Sequence, residues 1–165
     1  MPTPQILILR LNVRISLDNK QFFDAVSQSK DIGELRLRLG IILKETGEFI
    51  GWCCSGIKEE LRAPNREIMY AISKDHRGKG LTTQASQGMI NYLFEHTNVA
   101  VLSAVALLYN VPSNRVLQKC GFNFQRIIEI VSKKVTICGF IVALLSTGVI
   151  ALGYVSVYVI KKIRK

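Results

Sequence analysis

The stretch that decides the fold is Glu67-Ile-Met-Tyr-Ala-Ile-Ser-Lys-Asp-His-Arg-Gly-Lys-Gly-Leu-Thr-Thr-Gln-Ala85. Its first seven residues predict a strand, and the residues from about Thr82 to His96 predict a helix with one apolar face. Between them, two glycines let the backbone turn tightly, and the helix start adds N–H groups without partners and a positive dipole end. Together with the cations Arg77 and Lys79, this loop predicts a cradle for a pyrophosphate.

The glycine spacing differs from that of the two common phosphate-binding motifs. The nucleotide P-loop needs four residues between its glycines, and the dinucleotide fingerprint needs a third glycine where Thr83 stands. Taken alone, Gly78-Lys79-Gly80 therefore fits a ligand-free turn as well as a phosphate site.

The residues on either side predict a mixed α/β domain. Alternating Leu and Arg residues from Leu35, the turn at Lys44–Glu48 and the run Phe49–Ile57 predict a β-hairpin. The other predicted elements are strands at Ile6–Leu11, Val99–Leu108 and Phe122–Val131, and helices at Asp18–Ser27 and Pro112–Cys120. An antiparallel front followed by β-α-β-α-β gives one mixed central sheet with flanking helices.

Composition narrows the possible partners and cofactors. The chain of 165 residues carries 22 Lys and Arg against 12 Asp and Glu, a formal charge of +10. This balance suits a nucleic acid, an anionic bilayer or a phosphorylated ligand, and charge alone does not choose among them. No basic helix with interleaved aromatics is present, so no nucleic-acid partner is expected. With two histidines and no cysteine pair at metal-ligand spacing, no metal site is predicted.

The C-terminal part of the chain is strongly apolar. Val135 to Ile160 are 26 consecutive uncharged residues, flanked by Lys133 and Lys134 before and by basic residues after. A helix of that length spans roughly 39 Å, more than the ~30 Å hydrocarbon core of a bilayer. We therefore predict a transmembrane helix over 135–160. The alternative is a pair of buried strands, which the many Val, Ile and Thr residues favour.

This interpretation divides the chain into a domain over 1–132, the span 135–160 and a short basic tail over 161–165. Because only five residues follow the span, it describes a tail anchor. We accordingly expect single-pass membrane localisation, with the lipid bilayer as a partner and the folded domain in the cytosol.

The stretch from Glu67 to Ala85 resembles the acetyl-CoA-binding core of the GNAT N-acetyltransferases. It is most similar to the branch that modifies ribosomal-protein N-terminal alanines. The resemblance continues in Asn110-Val-Pro-Ser-Asn-Arg-Val-Leu-Gln-Lys-Cys-Gly-Phe122, which matches that branch's Asn-x-x-Ser…Lys-x-Gly-Phe segment. It covers about residues 1–130 and contains two separated motifs in the expected order.

The resemblance implies an acyltransferase that moves an acetyl group from acetyl-CoA to an amine, either a protein N-terminus or a small molecule. It implies that the pyrophosphate lies on the loop and that the pantetheine arm lies along the end of the 67–73 strand, between that strand and the 99–108 strand. It also implies that Asn110 and Ser113 face the thioester end. The implied cofactor-binding residues are Ile72, Ser73, Arg77, Gly78, Lys79, Gly80, Leu81, Thr82 and Asn110.

Two residues are candidates for proton transfer. Glu67 is the candidate base because it lies on the strand flanking the expected cleft, and its alternative role is an exposed strand carboxylate. Ser113 is the candidate that protonates the leaving thiolate, and its alternative role is a helix cap.

Departures from the family pattern keep a second function open. Asp75 stands where many members have Gln or Arg, and Leu117 replaces the tyrosine acid of many members, as is usual in the branch named above. The substrate-binding helices are compressed into about 20 residues after Asp18, and the predicted anchor takes the place of the last strand. The acceptor pocket is therefore reduced or completed by another chain, as in a homodimer. The alternative function is a catalytically impaired, membrane-anchored module that binds CoA or another protein.

Overall fold

The computed structural model describes residues 17–59, 61–62, 64–132, 136–137, 140–141 and 151–161. Its helices are α1 (Leu17–Gln28), α2 (Leu81–His96) and α3 (Val111–Lys119), with a short 3-10 turn at Lys74–His76. Its strands are β1 (Leu37–Ile42), β2 (Phe49–Ile57), β3 (Arg66–Ile72), β4 (Val101–Leu107), β5 (Asn123–Ser132), β6 (Thr136–Ile137), β7 (Phe140–Ile141) and β8 (Ala151–Lys161).

Six strands form one mixed sheet in the order β1-β2-β3-β4-β8-β5. β1, β2 and β3 are antiparallel neighbours, β3 and β4 run parallel, and β8 lies antiparallel between β4 and β5. This confirms the predicted hairpin and the mixed α/β class. The three helices begin and end within about one residue of the predicted bounds. The predicted strand at Ile6–Leu11 lies outside the described residues.

The C-terminal segment differs from the prediction. Ala151–Lys161 is a strand, paired from Val101↔Lys161 to Leu107↔Val155 on one side and with β5 on the other. The predicted helix over 135–160 is therefore wrong for these residues, and β6 and β7 within it are also extended. Strands that are buried on both faces have sequences as continuously apolar as a bilayer helix, and β-branched residues favour the strand.

Other parts of that predicted span, residues 135, 138–139 and 142–150, lie outside the described residues, as does the tail beyond Lys161. Among the residues that are described, no helix has the length and apolar character to cross a bilayer. The predicted bilayer contact and single-pass localisation rested on a helix at 135–160, whereas the described residues there form strands.

The main core lies between the sheet and the three helices. Cys53 of β2 is 1% exposed and its thiol donates to Met89 Sδ of α2 at 3.5 Å, which places α2 on that face. Tyr92 of α2 packs its ring against Phe22 and Phe23 of α1, with centroids 6.4 and 6.1 Å apart. Other fully buried side chains of this core are Leu37, Leu39, Ile68, Leu93, Leu102 and Leu117. Burial of this apolar surface holds all three helices against the sheet.

Candidate active site

The site begins as a gap between the two parallel strands. β3 pairs with β4 only at Glu67↔Ser103, whereas its other edge pairs with β2 at seven positions. Beyond Glu67 the two strands therefore separate, and each leaves backbone amide groups facing the opening. Because parallel strands end at the same edge of a sheet, the starts of α2 and α3 lie at the wide end of this gap. Open α/β sheets bind ligands at such an edge.

The glycine-rich loop forms one side of the wide end. Gly78 and Gly80 have φ of 76° and 75°, a left-handed conformation that side chains with a Cβ rarely adopt. A Cβ at either position would meet no atom within 4 Å, so the glycines are required by the backbone angles and not by crowding. The same open space leaves room for a ligand to approach the backbone closely.

The start of α2 supplies hydrogen-bond donors to that space. Its first helical bond runs from Gln84 N–H to Gly80 C=O at 3.1 Å, so the N–H groups of Leu81, Thr82 and Thr83 have no acceptor within the helix. The side chains of Arg77 and Lys79 are exposed beside them. The N–H groups, the helix dipole and two cations together favour an anion such as a pyrophosphate.

The 3-10 turn before this loop is held against the β1–β2 turn. His76 Nε2 lies 3.6 Å from Glu48 Oε2, and the His76 side chain is only 13% exposed. At the end of β3, the Ser73 N–H donates to the Ile50 carbonyl at 2.7 Å. These contacts fix the direction in which the chain enters the glycine-rich loop.

The start of α3 forms the other side of the wide end. Asn110 Oδ1 accepts a hydrogen bond from the Ser113 N–H at 3.2 Å, so Asn110 caps the helix. The alternative role of Ser113 as the cap is therefore wrong. Asn114 Nδ2 donates to the carbonyls of Leu107 and Asn110 at 3.0 and 2.8 Å, which ties this turn to the end of β4.

Tyr70 connects β3 to the start of α3 on the helix-covered face of the sheet. Its hydroxyl lies 3.0 Å from Ser113 Oγ and donates to the Ser113 carbonyl at 3.2 Å. On sequence alone, Tyr70 is a packed strand aromatic. That it reaches Ser113 depends on how α3 lies over β3, which no local pattern encodes.

Glu67 lies apart from this pair. It is 4% exposed, so the alternative role as an exposed strand carboxylate is wrong. It sits opposite Gly56 and Ser103 in the sheet, at the narrow end of the gap. Because side chains three positions apart on a strand point to opposite faces, Glu67 faces away from Tyr70 and Ser113. Its role as a base stays a prediction.

The structure thus brings most of the sequence-predicted site residues to one edge of the sheet. These are Ile72 and Ser73 at the end of β3, Arg77 to Thr82 in the loop and the first turn of α2, and Asn110 and Ser113 at the start of α3. Their roles toward a ligand stay predictions. In the described part of the chain, no three metal-ligating side chains come together.

Comparison with known proteins identifies the family of this domain. The model of the acetyltransferase (GNAT) domain matches residues 14–123. The chain belongs to the GNAT acetyltransferase family. It is 32% identical over 116 residues to the uncharacterised N-acetyltransferase p20 of Bacillus licheniformis, and the match covers 65% of each chain. It is 36% identical over 56 residues to the probable N-acetyltransferase YjcK of Bacillus subtilis, covering 34% of this chain and 31% of YjcK. The matches thus span about two thirds of p20 and a third of YjcK.

Solved structures show the same fold. The ribosomal-protein-S5-alanine acetyltransferase from Vibrio fischeri superimposes with a TM-score of 0.58 at 17% identity, covering 92% of this chain and 78% of that one. The microcin C7 self-immunity acetyltransferase MccE, in complex with acetyl-CoA and AMP, superimposes with a TM-score of 0.55 at 18% identity, covering 87% and 67%. The predicted GNAT fold is therefore confirmed.

Proposed function

We propose that this chain transfers an acetyl group from acetyl-CoA to an amine, either a protein N-terminus or a small molecule. The observation that carries the proposal is the gap between β3 and β4 with the glycine-rich loop at its wide end. Membership of the GNAT family supports it, as does the acetyl-CoA held by the structural neighbour MccE. The likeness to the S5-alanine acetyltransferase supports an N-terminal amine as acceptor.

Acetyl-CoA would be bound mainly through its pyrophosphate and through the amides of its pantetheine arm. Its pyrophosphate would accept hydrogen bonds from the loop and from the first N–H groups of α2, with Arg77 and Lys79 balancing the charge. Its pantetheine arm carries two amides, which would pair with the separated edges of β3 and β4 next to Ile72 and Ser73. The thioester would then lie toward Asn110 and Ser113.

The chemistry needs an amine without its proton and a stabilised leaving group. The amine nitrogen attacks the thioester carbonyl, the C–S bond breaks, and its electron pair leaves on sulfur. Glu67 would accept the amine proton, directly or through a water molecule, and Ser113 would donate a hydrogen bond to the departing sulfur. Holding the two substrates in one gap supplies much of the rate.

A second candidate function follows from α3. Leu117, which stands where many family members have a tyrosine acid, is 1% exposed and belongs to the core. If neither Glu67 nor Ser113 serves the reaction, the domain is a CoA-binding module that lacks turnover and acts by interaction.

Thiol release separates the two functions. Purified full-length chain is mixed with acetyl-CoA and a panel of N-terminal peptides and small polyamines, and both thiol release and acceptor acetylation by mass spectrometry are followed. Acceptor-dependent release with a matching acetylated product supports the enzyme. Binding of acetyl-CoA without thiol release for any acceptor in the panel indicates the impaired CoA-binding module. Absence of acetyl-CoA binding contradicts both candidate functions.

A further inference from the structure

The hydroxyl of Tyr70 on β3 contacts Ser113 in the first turn of α3. Tyr70 lies directly opposite Cys53 in the β2–β3 ladder, and Cys53 packs on α2, so the Tyr70 ring points to the helix side. There its hydroxyl meets the first turn of α3, where both it and Ser113 are partly buried. The pair therefore lies beside the gap, at the end where the thioester would sit.

Two arrangements of hydrogens are compatible with the distances. In the first, the Tyr70 O–H donates to the Ser113 carbonyl at 3.2 Å, and the Ser113 hydroxyl donates to Tyr70. In the second, the Tyr70 O–H donates to Ser113 Oγ at 3.0 Å, and the Ser113 proton is directed away from the ring. Only hydroxyl hydrogens rotate between the two arrangements, because every heavy atom keeps its place.

We propose that Tyr70 is a positioning residue that turns the Ser113 hydroxyl proton toward the leaving sulfur. This inference rests on the proposed acetyl transfer. As the C–S bond breaks, sulfur gains the electron pair, and the second arrangement gives it a donor whose own oxygen accepts from Tyr70. Hydrogen bonds in such a chain polarise one another, so Ser113 becomes a stronger donor than an isolated serine.

The pair acts by hydrogen bonding and transfers no proton to the product. A phenol is ordinarily a weaker acid than a thiol, by about 1.5 pKa units, so full transfer from Tyr70 to sulfur is disfavoured about thirtyfold. CoA therefore leaves as the thiolate and takes its proton from solvent. Leu117, which is buried in the core, offers no acid at its position on α3. The hydroxyl pair therefore stabilises the thiolate by hydrogen bonding and does not protonate it.

A double-mutant cycle on the full-length chain tests the proposal. The variants are Tyr70→Phe, Ser113→Ala and the double substitution, and Tyr92→Phe is the matched control within the α1–α2 packing. Tyr70 donates to the neutral Ser113 hydroxyl, and a net hydrogen bond of this kind changes a rate by about two- to tenfold, so we expect Tyr70→Phe to lower kcat by that factor. The KM for acetyl-CoA stays within about twofold because no binding contact is removed.

The coupling between the two sites decides the outcome. If Tyr70 acts through Ser113, the double variant has the kcat of Ser113→Ala, and Ser113→Thr, which keeps the hydroxyl, restores most of the rate. Tyr92→Phe leaves kcat unchanged. The proposal is overturned if the loss of kcat in the double variant equals the product of the losses in the two single variants. It is also overturned if Tyr70→Phe keeps the wild-type kcat. A Tyr70→Phe variant that instead raises KM or loses melting temperature shows a structural role and overturns it too.

Calorimetric titration of the wild-type chain with CoA distinguishes a failure of this proposal from a failure of the function beneath it. Binding and turnover by the wild-type chain without coupling between Tyr70 and Ser113 overturn the positioning role alone. A wild-type chain that binds no CoA overturns the acetyl-CoA site and the positioning role together.

Discussion

Gly80→Ala tests two properties of the glycine-rich loop, its left-handed backbone angle and the open space that would admit a pyrophosphate. With φ of 75° and no atom within 4 Å of a Cβ, the alanine side chain fits, but the backbone angle becomes strained. A left-handed residue with a Cβ costs about 1–2 kcal/mol. For a domain of this size that lowers Tm by about 2–8 °C. The new methyl group also occupies the space through which a pyrophosphate would approach the N–H groups of Leu81 and Thr82.

The expected loss of affinity exceeds the loss of stability. Removing one charge-assisted hydrogen bond costs about 1.5–3 kcal/mol, so the dissociation constant for CoA should rise about ten- to a hundredfold. Isothermal titration calorimetry measures the affinity, and thermal unfolding without ligand measures the strain.

Gly33→Ala is the matched control for this prediction. Gly33 also has a positive φ, 45°, and also has no atom within 4 Å of a Cβ. Its carbonyl accepts a hydrogen bond from the Arg66 guanidinium at 2.6 Å. Arg66 begins β3, whereas the glycine-rich loop follows the other end of that strand. The control should therefore lose stability and keep its affinity. Unchanged CoA affinity in Gly80→Ala, with the strain detected, would refute the phosphate cradle.

Four further predictions concern the frame around the site. Asn110→Ala removes the cap of α3 and should cost about 1 kcal/mol in urea unfolding, whereas Asn110→Asp should retain most of it. Arg66→Met leaves two loop carbonyls without their guanidinium donor and should cost roughly 2–4 kcal/mol, and a loss below 1 kcal/mol would count against that clamp. Burial raises the pKa of the Cys53 thiol to about 12, so native chain at pH 8 should resist iodoacetamide at Cys53 and denatured chain should react. Amide hydrogen exchange in detergent-free buffer should show the peptide over 151–161 as protected as β4, and exchange at the rate of an unfolded chain would contradict β8.

Local patterns predicted those parts of the fold that local interactions determine. The β1–β2 hairpin and the starts of α2 and α3 follow from alternation, turn residues, the loop glycines and Pro112, which act within a few residues along the chain. The position of β8 depends instead on partners at least 19 residues away along the chain, in Val101–Leu107 and Asn123–Ser132. Hydropathy measures how apolar a segment is, and a strand inside a sheet and a helix inside a bilayer satisfy it equally.

The candidate site likewise combines features that local sequence predicts with features that depend on distant parts of the chain. The loop residues were identifiable because glycines and cations are adjacent in sequence. The pairing of Tyr70 with Ser113 joins residues 43 positions apart and requires the packing of α3 on the sheet. The separation of Glu67 from Ser113 depends on the same packing, because α3 contacts the face of β3 that carries Tyr70 and Glu67 points to the other face.

The central claim is that the gap between β3 and β4, with the Gly78–Gly80 loop, binds acetyl-CoA. Calorimetric titration of the full-length chain with acetyl-CoA tests it most directly. The account predicts saturable binding of one acetyl-CoA per chain, with a dissociation constant between about 1 µM and 1 mM, the usual range of KM values for enzymes. Absence of saturable binding up to the top of that range would contradict it.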